Sequence, residues 1–441
     1  MNAPMNAPTG GIHAMRTLAH ARSWYEDALP PEPPAPALAG DVRADVAVLG
    51  AGLTGLNAAL ELAARGLRVV LVEAARAGAG GSGRSGGQVL ADYACGMETL
   101  RGLLGRETAA QLWQWSLEAV ARVKGHIARH AIACDWRDGC ATLALKPRQE
   151  RALRDWQAQA AHDYGYDGLR WLAAGELGEL VASPRYCGAL LDTGAGHLQP
   201  LAYTRALAQA ARAAGVTLHE HSPVLRIETG PRPKLVTAGG TVEADQLVIA
   251  GGALPARLAP EPAAKVLPVG TYIVATGPLG ADVATALLPA DAALCDANFV
   301  LDYYRRSADH RLLFGGRVSY SGLESPGLAA GMRRRLLAVF PQLPRTLAIT
   351  HAWGGHVDIT VNRAPHFGRI GSRVWFAQGF SGHGMALSNL AGRVLAEAVS
   401  GQLERFDVFA GIPHRDFPGG GRLRVPLLML AMLAFRLRDR L

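Results

Sequence analysis

The chain has 441 residues, of which 49% are hydrophobic and 19% are charged, and its formal net charge is +8. A chain of this size and composition can bury a large core, normally divided between two closely packed domains. The positive charge comes almost entirely from arginines spread thinly along the sequence, without a basic run interleaved with aromatic residues. This distribution argues against a nucleic-acid-binding protein.

Residues 1–40 form an N-terminal extension that is rich in proline and lacks the apolar segment of a targeting signal. Within it, Ser23, Trp24 and Tyr25 are expected to form a short docked segment. The five cysteines show neither a C-x-x-C motif nor an even disulfide framework, which is typical of a reducing compartment. We therefore expect a cytoplasmic protein.

The first motif is a strand, a glycine-rich turn and a helix, followed by a second strand that ends at an acidic residue. In order, these are residues 46–49, the turn at 50–55, a helix ending near Gly66, residues 67–72 and Glu73. In a dinucleotide site the glycines let the backbone and the helix N-terminus approach a pyrophosphate, and the acid binds ribose hydroxyls. The acid disfavours NADP and leaves NAD and FAD. The candidate cofactor contacts are Gly50, Gly52, Leu53, Thr54, Gly55, Glu73 and Ala74.

Directly behind this unit, residues 78–88 form a second glycine-rich stretch that carries one cation, Arg84. Such a loop exposes many backbone N–H groups, which can hold a phosphate or the polar edge of a flavin. A flexible linker is the alternative, but linkers seldom follow a ribose-binding strand directly. The candidate cofactor contacts in this stretch are Ser82, Gly83, Arg84, Gly86, Gly87 and Gln88.

The middle of the chain alternates between helical and strand-like segments. Helices are expected over residues 105–131, 148–162 and 200–215, and strands over 136–145, 216–220, 224–228 and 246–252, with a hairpin turn at 239–240. Residues 256–345 are expected to form a mainly antiparallel sheet, with strands near 265–276, 298–305 and 312–318. This sheet would form a roof over the cofactor.

Residues 375–385 again predict a strand that runs into glycines and then a helix. A second helix N-terminus directed at a cofactor stabilises the negative charge of a reduced flavin, whereas a nicotinamide does not need this. The sequence therefore favours FAD. The candidate contacts in this stretch are Gly382, His383, Gly384 and Met385.

Together these elements predict an α/β fold with a Rossmann-like FAD-binding domain and a mainly antiparallel α+β substrate domain, between which the chain crosses repeatedly. The expected segments are the extension (1–40), three parts of the FAD-binding domain (41–100, 191–255 and 346–405), a mixed helical and substrate-domain segment (101–190), the substrate-domain sheet (256–345) and a C-terminal tail (406–441). The tail has an apolar run at 425–435 that is too short to cross a bilayer. It is expected to pack on its own domain, and a membrane surface or a partner is the alternative.

No Ser/His/Asp triad, metal-spaced cluster or carboxylate pair stands out, which fits a protein that leaves the chemistry to a flavin. His383, between two glycines at the start of a helix, is the first candidate, either to shape the flavin edge or to act as a base. Trp353, His356 and Asp358 precede the last strand of the cofactor domain and could line the pocket.

The roof sheet supplies the other candidates. Alternate residues of a strand share a face, so either Tyr304, or Tyr303 together with Arg305, can point into the pocket. Arg305 and Arg317 are candidates for binding a substrate carboxylate. The candidate catalytic residues are therefore His383, Tyr304, Arg305, Arg317 and Trp353.

These motifs resemble those of the D-amino-acid oxidase superfamily of FAD-dependent amine oxidoreductases, most closely its gamma-glutamylputrescine oxidase branch. The similar stretches are 50–55, 82–84, 86–88, 302–305, 312–316, 353–355, 363–368 and 382–385. The resemblance implies that the backbone of Val224 meets the adenine and that the turn at Ala250 and Gly251 passes near the pyrophosphate. Two positions depart from the relatives: Ser85 stands where the family usually has asparagine, and Leu313 lies near the position of an oxygen-activating lysine in monomeric sarcosine oxidase.

The resemblance implies oxidation of an amine C–N bond with FAD, giving an imine that water hydrolyses to an aldehyde or ketone, with hydrogen peroxide formed if oxygen is the acceptor. The implied substrate is a gamma-glutamylated amine or a related amine or amino acid. Non-covalent FAD is expected, because no cysteine follows Cys295 and residues 78–88 contain no histidine for attachment. The alternatives are an FAD-dependent dehydrogenase that passes electrons to a quinone and a non-catalytic, FAD-stabilised assembly subunit.

Overall fold

The computed structural model describes residues 21–252, 258–298, 300–319 and 327–418, with residues 317–319 described by their backbone. Residues 1–20 of the expected extension and the apolar run at 425–435 lie outside the described residues. Within the described ranges, no helix has the length and apolar character needed to cross a membrane.

Two sheets and the helices around them make up the described chain. The strands are β1 (Val42–Leu49), β2 (Val69–Val72), β3 (Gln88–Val89), β4 (Arg137–Ala144), β5 (Leu169–Ala173), β6 (Gly188–His197), β7 (Thr217–His219), β8 (Val224–Glu228), β9 (Lys234–Thr237), β10 (Thr241–Ile249), β11 (Val266–Thr276), β12 (Ala293–Asp296), β13 (Tyr303–Arg306), β14 (Leu312–Ser319), β15 (Ile349–Thr360), β16 (His366–Ile370) and β17 (Val374–Gln378). The helices are α1 (Trp24–Asp27), α2 (Leu53–Ala63), α3 (Gly81–Arg84), α4 (Met97–Leu104), α5 (Arg106–Arg129), α6 (Pro147–Tyr164), α7 (Pro200–Ala213), α8 (Pro260–Ala264), α9 (Ala281–Leu287), α10 (Leu328–Val339), α11 (Gly384–Val399) and α12 (Glu404–Ala410), with a 3-10 turn at Ala174–Glu179.

The first sheet has the order β16-β17-β10-β1-β2-β7, with β9 beside β10 and β8 beside β9. Strand β1 is parallel to β2 and β10, and β10 is parallel to β17. Val46 and Val48 pack with α2, α5 and α11, whereas Ala47 and Leu49 pack on the other face of the sheet. A continuous apolar run is typical of a parallel strand covered on both faces. The predicted Rossmann-like unit is confirmed.

Helices α2 and α11 follow the carboxyl ends of β1 and β17, so both begin at the same edge of this sheet. They pack closely at Gly392, where an added Cβ would lie 2.5 Å from the Cβ of Asn57 and 2.6 Å from the nitrogen of Ala58. This edge of a parallel sheet is where α/β proteins bind ligands.

The second sheet has the order β15-β11-β14-β13-β12-β4-β6-β3, with β5 beside β6. Its pairs are antiparallel except β12 with β4, which confirms the predicted mainly antiparallel sheet. One face carries Tyr304 and Phe314, which pack in a cluster with α10. The other face carries Leu313 and Trp353, which pack against Tyr25 of α1.

Several parts of this second sheet differ from the sequence-based expectation. Strand β15 pairs with β11 from Val266 opposite Thr360 to Thr276 opposite Ile349, so the chain rejoins the first domain after Thr360 rather than at residue 346. Strand β6 likewise stays in the second sheet to His197, beyond the boundary expected at residue 190. Helices α9 and α10 and strand β12 were not predicted, and the strand expected near 298–305 begins at Tyr303.

Candidate functional site

The first part of the site is the glycine turn between β1 and α2. A Cβ added to Gly55 would lie 1.9 Å from the carbonyl oxygen of Gly50, so the helix can approach the turn only with glycine here. Gly50 has φ +103°, and its added Cβ would lie 2.9 Å from the oxygen of Ala250. The structure therefore brings the turn and the segment at Ala250 and Gly251 together, as the sequence analysis expected of a pyrophosphate site.

Glu73 lies at the carboxyl end of β2, beside this turn. One carboxylate oxygen accepts a hydrogen bond from the Ala51 N–H at 2.8 Å, and the other accepts one from the Ala75 N–H at 2.9 Å. Burial raises the pKa of Glu73 above its usual value. Each oxygen keeps a further lone pair, which is what ribose hydroxyls require. Ser222 donates its N–H to the Glu73 carbonyl, which places nearby Val224 at the same edge.

The loop of residues 78–88 continues from there under the second sheet. The Ser82 hydroxyl accepts a hydrogen bond from the Leu53 N–H at 3.0 Å, which joins the loop to the start of α2. The Arg84 guanidinium turns toward β15 and donates from Nε to the Gly354 carbonyl at 2.6 Å. Gln88 begins β3, which pairs with β6 at His197. The loop is thus held between the two sheets.

His383 directly precedes the first residue of α11. Its Nδ1 is buried and has no hydrogen-bond partner among the residues that the structure describes. Burial and the nearby Arg363 lower the pKa of His383 to about 4, so the ring is neutral at pH 7. The Ser85 hydroxyl contacts the Met385 sulfur at 3.3 Å, which connects the loop to the first turn of α11. The structure therefore brings the predicted loop of residues 78–88 and the predicted stretch 382–385 together.

The candidates from the roof sheet are arranged differently from the expectation. Tyr304 lies on the face away from the loop, where its hydroxyl donates to Tyr186 at 3.0 Å and its ring stacks on Phe314. The structure therefore does not support a catalytic role for Tyr304. Tyr303 faces the loop, since a Cβ on Gly86 would lie 2.9 Å from its ring.

Arg305 also faces the loop, but its donors already have partners. Its guanidinium is 2% exposed and donates to the carbonyls of Gly86, Leu198 and Arg306 and to the Tyr25 hydroxyl. These contacts do not support the expected binding of a substrate carboxylate by Arg305. The Arg317 side chain lies outside the described residues.

Residues of β15 contribute to the frame of the site. The Trp353 indole is fully buried and donates to the Arg84 carbonyl at 3.0 Å, so it supports the loop rather than lining an open pocket. Burial lowers the pKa of half-buried His356. Asp358 accepts a hydrogen bond from the Gly379 N–H at 2.5 Å, and burial raises its pKa to about 6.

A buried polar network between α2 and α11 was missed by the sequence analysis. The Asn389 amide oxygen accepts hydrogen bonds from Asn57 Nδ2 at 2.9 Å and from the Tyr203 hydroxyl at 2.7 Å. The two asparagines also donate to carbonyls one turn earlier, Leu53 and Met385, at the starts of the two helices. An asparagine on the apolar face of each helix is the signal that could have revealed this network.

These features fit the FAD implied by the sequence. The glycine turn leaves room for a pyrophosphate beside a helix N-terminus. The buried Nδ1 of His383 is a polar atom without a partner in the described chain, and such atoms in native proteins usually face water or a ligand. We infer that Glu73 holds the ribose and that the loop and the start of α11 hold the flavin portion.

Comparisons with known proteins point to the same cofactor. The DAO family, described as FAD dependent oxidoreductase, matches residues 45–398. The chain is 39% identical over 406 residues to a probable oxidoreductase of Haemophilus influenzae, covering 91% of this chain and 93% of the relative. It is 38% identical over 423 residues to the gamma-glutamylputrescine oxidoreductase of Escherichia coli, covering 96% of this chain and 99% of the relative.

The fold is similar to that of a glycine oxidase from Geobacillus kaustophilus. The TM-score is 0.69 at 24% sequence identity, and the match covers 82% of this chain and 98% of the glycine oxidase chain. The family match spans most of the described residues and includes both glycine stretches and the roof strands. The chain therefore belongs to the DAO family of FAD-dependent oxidoreductases and is an enzyme that uses FAD.

Proposed function

We propose that this enzyme oxidises the C–N bond of a gamma-glutamylated amine of the gamma-glutamylputrescine type. The observation that supports this most directly is the 38% identity to the Escherichia coli gamma-glutamylputrescine oxidoreductase, which extends over 99% of that relative. Such a match includes the strands above the loop as well as the cofactor motifs. The product would be an imine, which water hydrolyses to an aldehyde.

The residues of the chain supply binding and orientation for this reaction. When bound, FAD provides the acceptor for a hydride from the carbon next to the amine. Glu73 would hold the ribose, and the loop of residues 78–88 would present N–H groups to the cofactor. The pKa of His383 is about 4, so its ring is neutral at pH 7. The side chain therefore presents polar nitrogen atoms without a positive charge at the start of α11. We expect FAD to be held non-covalently.

The substrate proposal is tested by anaerobic reduction of the purified holoenzyme. Gamma-glutamylputrescine should bleach the visible flavin band, and a carbonyl reagent should trap the aldehyde product. Free putrescine should bleach the band poorly, because a remote group that binds the protein positions the reacting amine. Arg317 remains the sequence-based candidate for binding the glutamyl carboxylate.

N-acetylputrescine is the matched control substrate, because it keeps the amide and the free amine but lacks the carboxylate and ammonium groups of the glutamyl portion. If N-acetylputrescine reduces the flavin poorly, the enzyme's preference for gamma-glutamylputrescine depends on the glutamyl head group. If gamma-glutamyl amines fail while sarcosine, proline or a D-amino acid reduces the flavin, the substrate proposal is wrong and the family assignment still stands.

A dehydrogenase that passes electrons to a quinone is the second candidate function. Leu313 favours it, because this residue is 3% exposed and lies in an apolar cluster with Trp353 and Ile273. An apolar side chain cannot stabilise developing superoxide, whereas a nearby cation can. Stopped-flow reoxidation of the reduced enzyme separates the two acceptors. Slow reaction with oxygen and fast reaction with a quinone would support the dehydrogenase, and rapid reaction with oxygen would contradict it.

A further inference from the structure

Three successive carbonyl groups of the loop each accept a hydrogen bond from a buried side chain. The Trp353 indole donates to Arg84 at 3.0 Å, the Tyr25 hydroxyl donates to Ser85 at 2.9 Å, and Arg305 Nε donates to Gly86 at 2.7 Å. The exposed fractions of the three donor residues are 0%, 0% and 2%. All three donors are side chains rather than backbone groups of a neighbouring strand.

The three donors come from distant parts of the sequence and contact one another. Tyr25 belongs to α1, Arg305 to β13 and Trp353 to β15. The Tyr25 and Trp353 rings meet edge to face with centroids 5.2 Å apart, and Arg305 Nη2 donates to the Tyr25 hydroxyl at 3.3 Å. We call Tyr25, Arg305 and Trp353 the loop clamp.

The clamp determines where the N–H groups of the loop point. No described peptide bond is cis, and in a trans peptide the N–H points opposite to the preceding carbonyl. With the carbonyls of Arg84, Ser85 and Gly86 directed into the clamp, the N–H groups of the next residues are directed away from it. The Gly87 N–H contacts the Ser85 hydroxyl at 3.3 Å. Within the described ranges, the N–H groups of Ser85 and Gly86 have no acceptor.

The loop has little freedom to escape this arrangement. A Cβ on Gly86 would lie 2.9 Å from the Tyr303 ring, and a Cβ on Gly87 would lie 2.0 Å from the Leu198 carbonyl oxygen. Arg305 also donates to this Leu198 carbonyl at 3.0 Å. The same guanidinium thus fixes the loop and the segment on which the loop rests.

We propose that Tyr25, Arg305 and Trp353 are positioning residues that direct the Ser85 and Gly86 N–H groups toward bound FAD. The Arg305 charge adds to this effect. None of the ion pairs among the described residues includes Arg305, so its full charge polarises the Gly86 peptide, and polarised peptides are better donors. The proposal gives the N-terminal segment a role in cofactor binding, although it lies outside the residues matched by the family.

The test compares FAD binding by the conservative variants Tyr25→Phe, Trp353→Phe and Arg305→Lys, each measured from the holoenzyme. Tyr25→Phe and Trp353→Phe each remove the hydrogen bond to one loop carbonyl, and Arg305→Lys keeps the charge but lacks the planar guanidinium that bonds the Gly86 and Leu198 carbonyls together. We expect the FAD dissociation constant to rise about 3- to 10-fold in each. Hydrogen exchange of the Ser85–Gly87 amides in the holoenzyme should become faster, because the loop can then reorient.

Two matched controls lose a side-chain hydrogen bond elsewhere. Tyr304→Phe removes the bond to the Tyr186 hydroxyl at 3.0 Å, and Trp375→Phe removes the bond to Gln246 at 2.9 Å. Both should leave the FAD dissociation constant and the loop exchange rates unchanged while lowering thermal stability. If the clamp variants and the controls have the same FAD affinity and the same exchange rates, the clamp is only structural and the proposal is overturned.

The proposal depends on FAD binding and not on the identity of the amine. An enzyme that retains FAD but is not reduced by gamma-glutamylputrescine would contradict the proposed substrate and leave the clamp intact. If Arg305→Lys does not fold, Tyr25→Phe decides the question, because it removes a single oxygen atom.

Discussion

Gly55→Ala should yield a protein that does not retain FAD and is colourless after purification. The added Cβ would lie 1.9 Å from the Gly50 carbonyl oxygen, 3.1 Å from its carbon and 3.3 Å from a Val48 methyl group. The closest contact is with backbone, so no side-chain rotation relieves it. Either α2 or the turn must move, and both present the groups that we propose bind the pyrophosphate. Absorbance of the purified protein and FAD titration of the apoprotein measure the effect.

Gly125→Ala is the matched control, because it makes the same change in another helix. Gly125 lies in α5 with nothing within 4 Å of an added Cβ. Alanine is favoured over glycine in a helix by about 1 kcal/mol, so this variant should be at least as stable as the wild type and fully loaded with FAD. Normal FAD affinity in Gly55→Ala would contradict the assignment of this turn to the pyrophosphate.

The parallel half of the fold could be predicted from sequence because its signals are local. A buried strand, a glycine turn and an amphipathic helix follow one another within residues 46–66, and the same pattern returns at residues 375–399. The packing of Gly392 on Asn57 was not predictable, since these residues lie in helices far apart in sequence. Periodicity gives the apolar face of each helix but not its partner.

The second sheet was harder to predict, because its pairings join distant segments. Strand β12 is only four residues long and pairs with β4 at Cys140 and with β13 at Tyr303 and Tyr304. A short strand carries little periodicity of its own, so its register depends on neighbours that the sequence does not identify. Strand β15 is long, but its pairing with β11 joins distant segments, so the sequence analysis assigned residues 346–405 to the FAD-binding domain.

At the site itself, the binding partners of Arg305 could not be predicted from the sequence. The alternation of strand residues correctly put Tyr303 and Arg305 on one face and Tyr304 on the other. The sequence suggested that an inward-facing Arg305 binds a substrate carboxylate. In the structure Arg305 instead donates hydrogen bonds to the carbonyls of Gly86 and Leu198. Backbone acceptors have no sequence signature, so this contact could be found only from the structure.

The buried network between α2 and α11 leads to the second large effect. Asn389, Asn57 and Tyr203 are fully buried, and Asn389 joins the other two through one amide oxygen. Its Nδ2 also donates to the Met385 carbonyl at 2.7 Å, in the first turn of the helix that follows His383. The network therefore ties together the N-termini of α2 and α11, which we propose face the cofactor.

Asn389→Leu should lower the free energy of unfolding by about 2–5 kcal/mol, because it leaves the Tyr203 hydroxyl and one Asn57 N–H buried without an acceptor. Urea unfolding of the holoenzyme measures this change. Tyr203→Phe alone should cost about 1 kcal/mol, since it removes one hydrogen bond and leaves Asn389 paired with Asn57. In the Asn389→Leu background the same substitution removes an unsatisfied hydroxyl, so it should cost nothing or restore stability. Additive losses in the double variant would mean that the two residues act independently, and the network would then not couple the helices.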